Sequence, residues 1–152
     1  MNTPPHSPGH AGPGSPGNPQ FVNFLQGLCS PDNNTRLAAE AQYNQLKGTN
    51  PVLLVTNLLA QLRGSSNSTL REFSAVLLRG LVGLRAPVYE NLDANTQNTL
   101  RTMLLQIALE TASQRSLSKK ICDTIGELAL VIQASSTWQE LLPWTINCIN
   151  TT

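Results

Sequence analysis

The sequence predicts an all-α chain built from stacked helix pairs. Three observations carry that expectation. Apolar residues recur at helical spacing in seven successive segments. No segment alternates with the period of two that marks a strand. One stripe also returns later in the chain. Phe73, Leu77, Gly80, Leu81 and Leu84 map onto Ile121, Ile125, Leu128, Ala129 and Ile132 by one constant shift, and Arg71 maps onto Lys119.

Residues 1–19 are rich in Pro, Gly and Ser, carry no apolar period and read as a disordered tail. Ser7-Pro8 and Ser15-Pro16 have the form of proline-directed phosphorylation sites on that extension. The folded region then runs over residues 20–152. A first helix over 21–29 has Phe21, Phe24, Leu25 and Leu28 at offsets 0, 3, 4 and 7. Ser30 is the expected N-cap of a second helix, with Pro31 at its first position. Ala39, Tyr43 and Leu46 are its stripe, and Gly48 its expected C-cap. A third helix, 51–63, buries Leu54, Leu58 and Leu62.

The fourth helix, 69–84, has Phe73, Leu77, Leu81 and Leu84 as its expected core stripe, but Ala75, Val76, Leu78 and Val82 make it apolar nearly all round. Such a helix belongs in an interior layer. Pro87 then interrupts the chain. A fifth helix over 94–110 carries Leu100, Met103, Leu104, Ile107 and Ala108, and a sixth over 117–133 carries the repeated stripe. A seventh begins near Thr137, with Trp138, Leu141, Leu142 and Ile149 as its stripe and Pro143 expected to bend it.

The helices fall into pairs over 21–47, 51–85 and 94–133, and the helix from 137 opens a fourth pair that the sequence does not complete. Helix pairs every ~40–47 residues are the period of HEAT and armadillo solenoids. The predicted fold is a right-handed α-α superhelix of about three and a half pairs; an irregular helical bundle is the competing architecture. As the second helix of the middle pair, 69–84 is expected to touch its own partner and both neighbouring layers.

Composition narrows the function. Charged residues make up 12% of the 152 residues, against a usual share of about 25%, and the net charge is +1. No strong field draws this chain to nucleic acid or an anionic membrane. No apolar run is long enough to span a bilayer. The N-terminus lacks the apolar core of a secretory signal, so the Asn-x-Ser/Thr matches at Asn33, Asn67 and Asn150 are discounted. Cys29, Cys122 and Cys148 are far apart in apolar contexts and read as reduced, buried thiols of an intracellular protein. Both histidines, His6 and His10, lie in the tail. The folded part therefore has no imidazole for a general base or a His-containing metal site. CxxC spacing and phosphate-binding glycine loops are absent. No enzyme, metal or cofactor is expected.

The sequence resembles the N-terminus of a karyopherin-β (importin-β family) nuclear transport receptor, with the importin beta-3 subgroup the nearest match. The resemblance rests on Phe21–Leu28 followed by Ser30-Pro31-Asp32-Asn33, on Arg36–Tyr43 and Ala75–Arg79, on Lys119–Asp123 with Glu127-Leu128-Ala129, and on Trp138 with Leu141-Leu142-Pro143. These stand in the family's order across about residues 21–150. Gly80, Gly83, Gly126 and Ser118 depart from its pattern. Each glycine costs up to about 1 kcal/mol against alanine in a helix interior. The resemblance implies a HEAT superhelix that binds cargo and nucleoporin FG repeats, is unloaded by Ran in its GTP form, and moves between cytoplasm and nucleus through the pore. It also implies that the second helix of each N-terminal pair belongs to the Ran-binding surface.

Helical geometry then selects residues opposite each expected core stripe. These are Asn44 on the first pair, Ala75, Leu78, Arg79 and Val82 on the second, and Asp123, Glu127 and Leu130 on the third, with Arg71 and Lys119 preceding the stripes. The charged members would form rim pairs and the apolar ones a buried centre. The other reading of the charges is simple solvation. Trp138 and Trp144 read either as core or as interface anchors. The incomplete fourth pair suggests a fragment that binds Ran weakly and carries no cargo by itself. The alternative function is a generic HEAT scaffold outside transport.

Overall fold

The computed structural model describes residues 18–85 and 88–151. The expected tail up to residue 17, with Ser7 and Ser15, and the interruption at Pro87 lie outside the described residues. Within them the protein is an all-α, HEAT-like helical solenoid of seven α-helices and one short 3-10 turn, with no strand among the described residues. The helices are α1 (Pro19–Leu28), α2 (Asn33–Thr49), α3 (Pro51–Gly64), α4 (Ser68–Val82), α5 (Ala94–Glu110), α6 (Arg115–Gln133) and α7 (Leu141–Asn150).

Short polar side chains set most of the starts. Asn18 Oδ1 accepts from the Gln20 amide at 3.0 Å, so α1 begins at Pro19, before the first apolar residue. Helix α2 starts at Asn33 and not at Pro31. Its N-cap is Asp32, whose Oδ2 accepts from the Thr35 amide at 2.8 Å and the Thr35 hydroxyl at 2.6 Å. Ser30, the expected cap, instead accepts from the Asp32 amide and shapes the turn before it. A carboxylate that accepts two bonds outcompetes a hydroxyl two residues upstream. Gly48 lies inside α2, which runs on to Thr49. Asn50, Asn67 and Asp93 cap α3, α4 and α5 in the same way. At the other end of the chain, Pro143 is the third residue of α7. The first N–H groups of a helix have no intrahelical acceptor, so the ring removes nothing there. The expected mid-helix bend falls away for that reason.

Packing follows the solenoid pattern in the second and third pairs. Helix α4 meets α6 along its length and α3 on another side; α3 packs on α5, and α5 on α6 and α7. The first pair sits differently. Helix α2 reaches the second pair through α3 and covers α4 little. The expectation that α4 is sandwiched by both neighbouring layers holds only on the α6 side. Ala39 is the one buried residue of α2. Phe73 and Leu77, the expected core stripe of α4, are consequently only half-buried. Leu84 is exposed, because α4 ends at Val82 and the chain leaves the helical path at Gly83.

The actual core stripe of α4 is Leu70, Ser74, Ala75, Leu78, Leu81 and Val82. Small residues make the α4–α6 crossing close. The Thr124 hydroxyl donates to the Lys120 carbonyl at 2.8 Å and reaches the Ala75 carbonyl at 3.3 Å. Ser74 Oγ donates to the Leu70 carbonyl at 2.8 Å. Both hydroxyls are buried with their donors satisfied inside their own helices. The cysteines depart from expectation as well: Cys29 and Cys122 are exposed and Cys148 is half-buried. Cys29 ends α1 at a turn, and Cys122 lies beside the Ile121–Ile125 stripe on the outer side of α6. No helix among the described residues is long and apolar enough to cross a membrane.

Candidate functional site

The residues selected from the sequence separate into three groups in space. Ala75, Leu78 and Val82 are 1%, 0% and 0% exposed, so they are core and not an open partner face. The reading that placed them outward took Phe73, Leu77, Leu81 and Leu84 as the buried side, and of these four Leu81 alone is buried. On a helix that is apolar nearly all round, periodicity does not say which side a neighbour covers. Arg71 is half-buried and structural in its bonding. Its Nε donates to the Leu62 carbonyl at 2.9 Å, near the C-terminus of α3, and Nη1 donates to Gln114 Oε1 at 3.2 Å. Asn44 is exposed on α2, away from the α4–α6 seam.

The charged residues of the third group do come together. Arg79 Nη2 donates to Glu127 Oε1 at 3.2 Å, while its Nη1 lies 3.6 Å from Asp123 Oδ2. Lys119 Nζ donates to the same Asp123 oxygen at 3.1 Å. One turn away Lys120 Nζ donates to Glu72 Oε2 at 2.9 Å, and Ser116 Oγ donates to the same oxygen at 3.1 Å. Those bonds hold the Glu72 carboxyl below the usual carboxylate range, with the Lys120 bond the larger cause. Arg79–Glu127 and Glu72–Lys120 join residues 48 apart. That is the shift that relates the two stripes, so the repeat in sequence is the register of the α4–α6 seam.

Beside this ladder, the C-terminal half of α4 and the facing part of α6 enclose a groove of about 630 Å³. Its apolar lining is Val76, Leu84 and Leu130, which are 49%, 61% and 54% exposed. Arg79, Arg85 and Glu127 are its charged members. Gly83 is fixed by close approach, since a Cβ there would lie 3.0 Å from the Arg79 carbonyl oxygen and 3.4 Å from Glu127 Oε2. Sequence reasoning selected Arg79, Glu127 and Leu130 but missed Val76, Gly80, Leu84 and Arg85. The signal for Val76 and Gly80 was their spacing of four residues on one side of α4; Leu84 follows just past the end of the helix.

The arrangement joins an apolar trough to an ion-paired flank. The chain is similar to a protein described as Probable importin-5 homolog from Dictyostelium discoideum, 29% identical over 128 residues. The chain resembles an importin. The aligned part is 83% of this chain and 12% of that protein, so the importin-like chain spans a small share of the relative's length. The likeness supports the karyopherin-β family at most and does not distinguish a subgroup. No family model matches the chain.

Proposed function

We propose that this chain is the N-terminal HEAT region of a nuclear import receptor and presents the α4–α6 seam to Ran in its GTP form. The observation that carries the reading is the importin likeness over 83% of the chain. The seam supports it, because second helices of adjacent pairs lie side by side there with a trough between them. In this reading Arg79, Lys119, Asp123 and Glu127 form the polar rim. Val76, Leu84 and Leu130 take the central role that the buried Ala75, Leu78 and Val82 cannot. Asn44, exposed on α2 away from the seam, falls outside this contact, and Arg71 would support it through Leu62 and Gln114. Cargo and nucleoporins would bind other parts of the receptor, which would shuttle between cytoplasm and nucleus. No catalysis is assigned to the chain.

The test is capture of purified Ran loaded with GTP or GDP on the immobilised chain. Selective capture of the GTP form, lost on charge reversal in Arg79→Glu and restored in Arg79→Glu/Glu127→Arg, supports the reading. Equal capture of both forms, or none, removes it. One observation favours a second reading as a general protein-binding scaffold. The seam charges pair with one another, which leaves little field to steer a charged GTPase. Nucleotide-independent capture of other proteins on the same seam is the outcome that reading expects.

A further inference from the structure

We propose that the groove over Gly80 is a docking site for an acidic protein segment, one that sets a single bulky apolar side chain beside a carboxylate. The inference rests on the α4–α6 seam being a partner face, and not on the partner being a GTPase.

The first argument is the glycine itself. Glycine in a helix interior is destabilising relative to alanine. Where packing demands one, an added Cβ meets a neighbour, as at Gly83. At Gly80 it meets nothing within 4 Å. Gly48 and Gly126 are equally open, and Gly80 differs from them in lining the groove. The missing side chain leaves a notch on the exposed surface of α4, with Val76 one turn before and Leu84 just past the end of the helix. Leu130 of α6 faces the same space. An apolar floor walled by exposed aliphatic side chains suits one aromatic or leucine anchor, the kind of residue that dominates protein contacts.

The second argument is charge. Glu127 is the acidic group of the groove, and Arg79 neutralises it at 3.2 Å. Arg85, exposed at the end of the groove, has no acidic partner among the described residues. The local surplus is therefore positive, and it lies next to the apolar trough. A carboxylate in the partner, a residue or two from the anchor, completes the pair. An aliphatic segment bearing lysine would place like charges together.

Blocked tripeptides test this on the full 152-residue chain. Acetyl-Glu-Trp-Glu-amide, acetyl-Lys-Trp-Lys-amide and acetyl-Glu-Ala-Glu-amide are titrated against ¹⁵N-labelled protein and followed by amide chemical shifts. The first is expected to move amides of residues 76–85 and 127–130. The other two should bind about fivefold or more weakly, since each lacks one half of the recognition. Gly80→Leu fills the notch and should weaken the first peptide by a similar factor, whereas Gly80→Ala should have a smaller effect. Both variants should melt no lower than the parent, which keeps loss of binding separate from loss of fold. Arg85→Glu should shift preference toward the lysine peptide. Three results overturn the proposal: equal binding of all three peptides, shifts confined to α7, or affinity untouched by Gly80→Leu. Selective GTPase capture alongside such a failure would remove the groove and leave the receptor reading standing.

Discussion

Leu78 and Val76 are two positions apart on α4, yet the protein treats them oppositely. Leu78 is fully buried in the core and Val76 projects into the groove. Leu78→Ala opens a cavity in the core and should cost about 2–5 kcal/mol. Val76→Ala should stay within about 0.5 kcal/mol, the range of ordinary surface changes. Urea denaturation of the two variants measures the contrast, and a similar loss in both would contradict the packing described. The glycines give a second residue-level contrast. Gly126, inside α6, has no neighbour within 4 Å of an added Cβ, so Gly126→Ala should raise stability by up to about 1 kcal/mol. Gly83→Ala should lower it, because the new methyl would press on the Arg79 carbonyl. Melting temperatures that rise in both variants would exclude the close approach at Gly83.

At the scale of elements, the helix starts depend on titratable caps. Hydrogen bonds from the Thr35 hydroxyl and amide hold the Asp32 carboxyl below the usual carboxylate range; Thr96 does the same for Asp93. A lowered folded value means that the folded state favours the charged form. The contribution of these caps is thus complete above the unfolded carboxylate value of about 4 and is lost as pH falls through the lowered folded values. The melting temperature should decline below pH ~4 for this reason. The decline should be shallower in Asp32→Asn/Asp93→Asn, since asparagine caps a helix without titrating. Circular dichroism melts from neutral to acid pH read this directly, and parallel curves for parent and variant would contradict it.

The caps also show where sequence was readable and where it was not. Helix existence was plain, because each stripe repeats at helical spacing over several turns. Helix starts were less so. Ser30 and Asp32 both suit a cap, and bonds to Thr35 decide between them. The orientation of α4 was hidden, because what covers a helix depends on its neighbours. Thr124, polar yet buried, marks the α4–α6 crossing, and the apolar period does not include it. Part of the candidate surface was legible: Arg79, Asp123, Glu127 and Lys119 were selected and do converge. The exposure of Val76 was concealed within an all-round apolar pattern, and that of Leu84 by the end of α4 at Val82.

For the whole molecule, stability in a solenoid is a sum over repeats and their nearest-neighbour interfaces. Here the interfaces are unequal. The α4–α6 seam carries the buried Thr124 hydroxyl against the Ala75 carbonyl and the 48-residue ladder of ion pairs. The α1–α2 pair has Phe21, Phe24 and Leu25 of α1 and Ala39 of α2 buried, and it joins the rest through α2 and α3. At the far end, α7 has no fully buried residue. It is held by the half-buried Leu141 and Trp144, with Trp144 Nε1 donating to the Leu105 carbonyl at 3.1 Å. Local opening free energies should therefore differ along the chain. Amides of α1, α2 and α7 should exchange through sub-global openings at low denaturant, while those of α3–α6 should exchange only with global unfolding. Native-state hydrogen exchange across a denaturant series resolves these isotherms. Trp144→Phe deletes the link to α5 and should speed exchange in α7 alone, leaving α4 and α6 unchanged. Isotherms that merge for all seven helices would mean that the chain unfolds as one unit, and that the weak docking of the first pair and of α7 carries no energetic consequence.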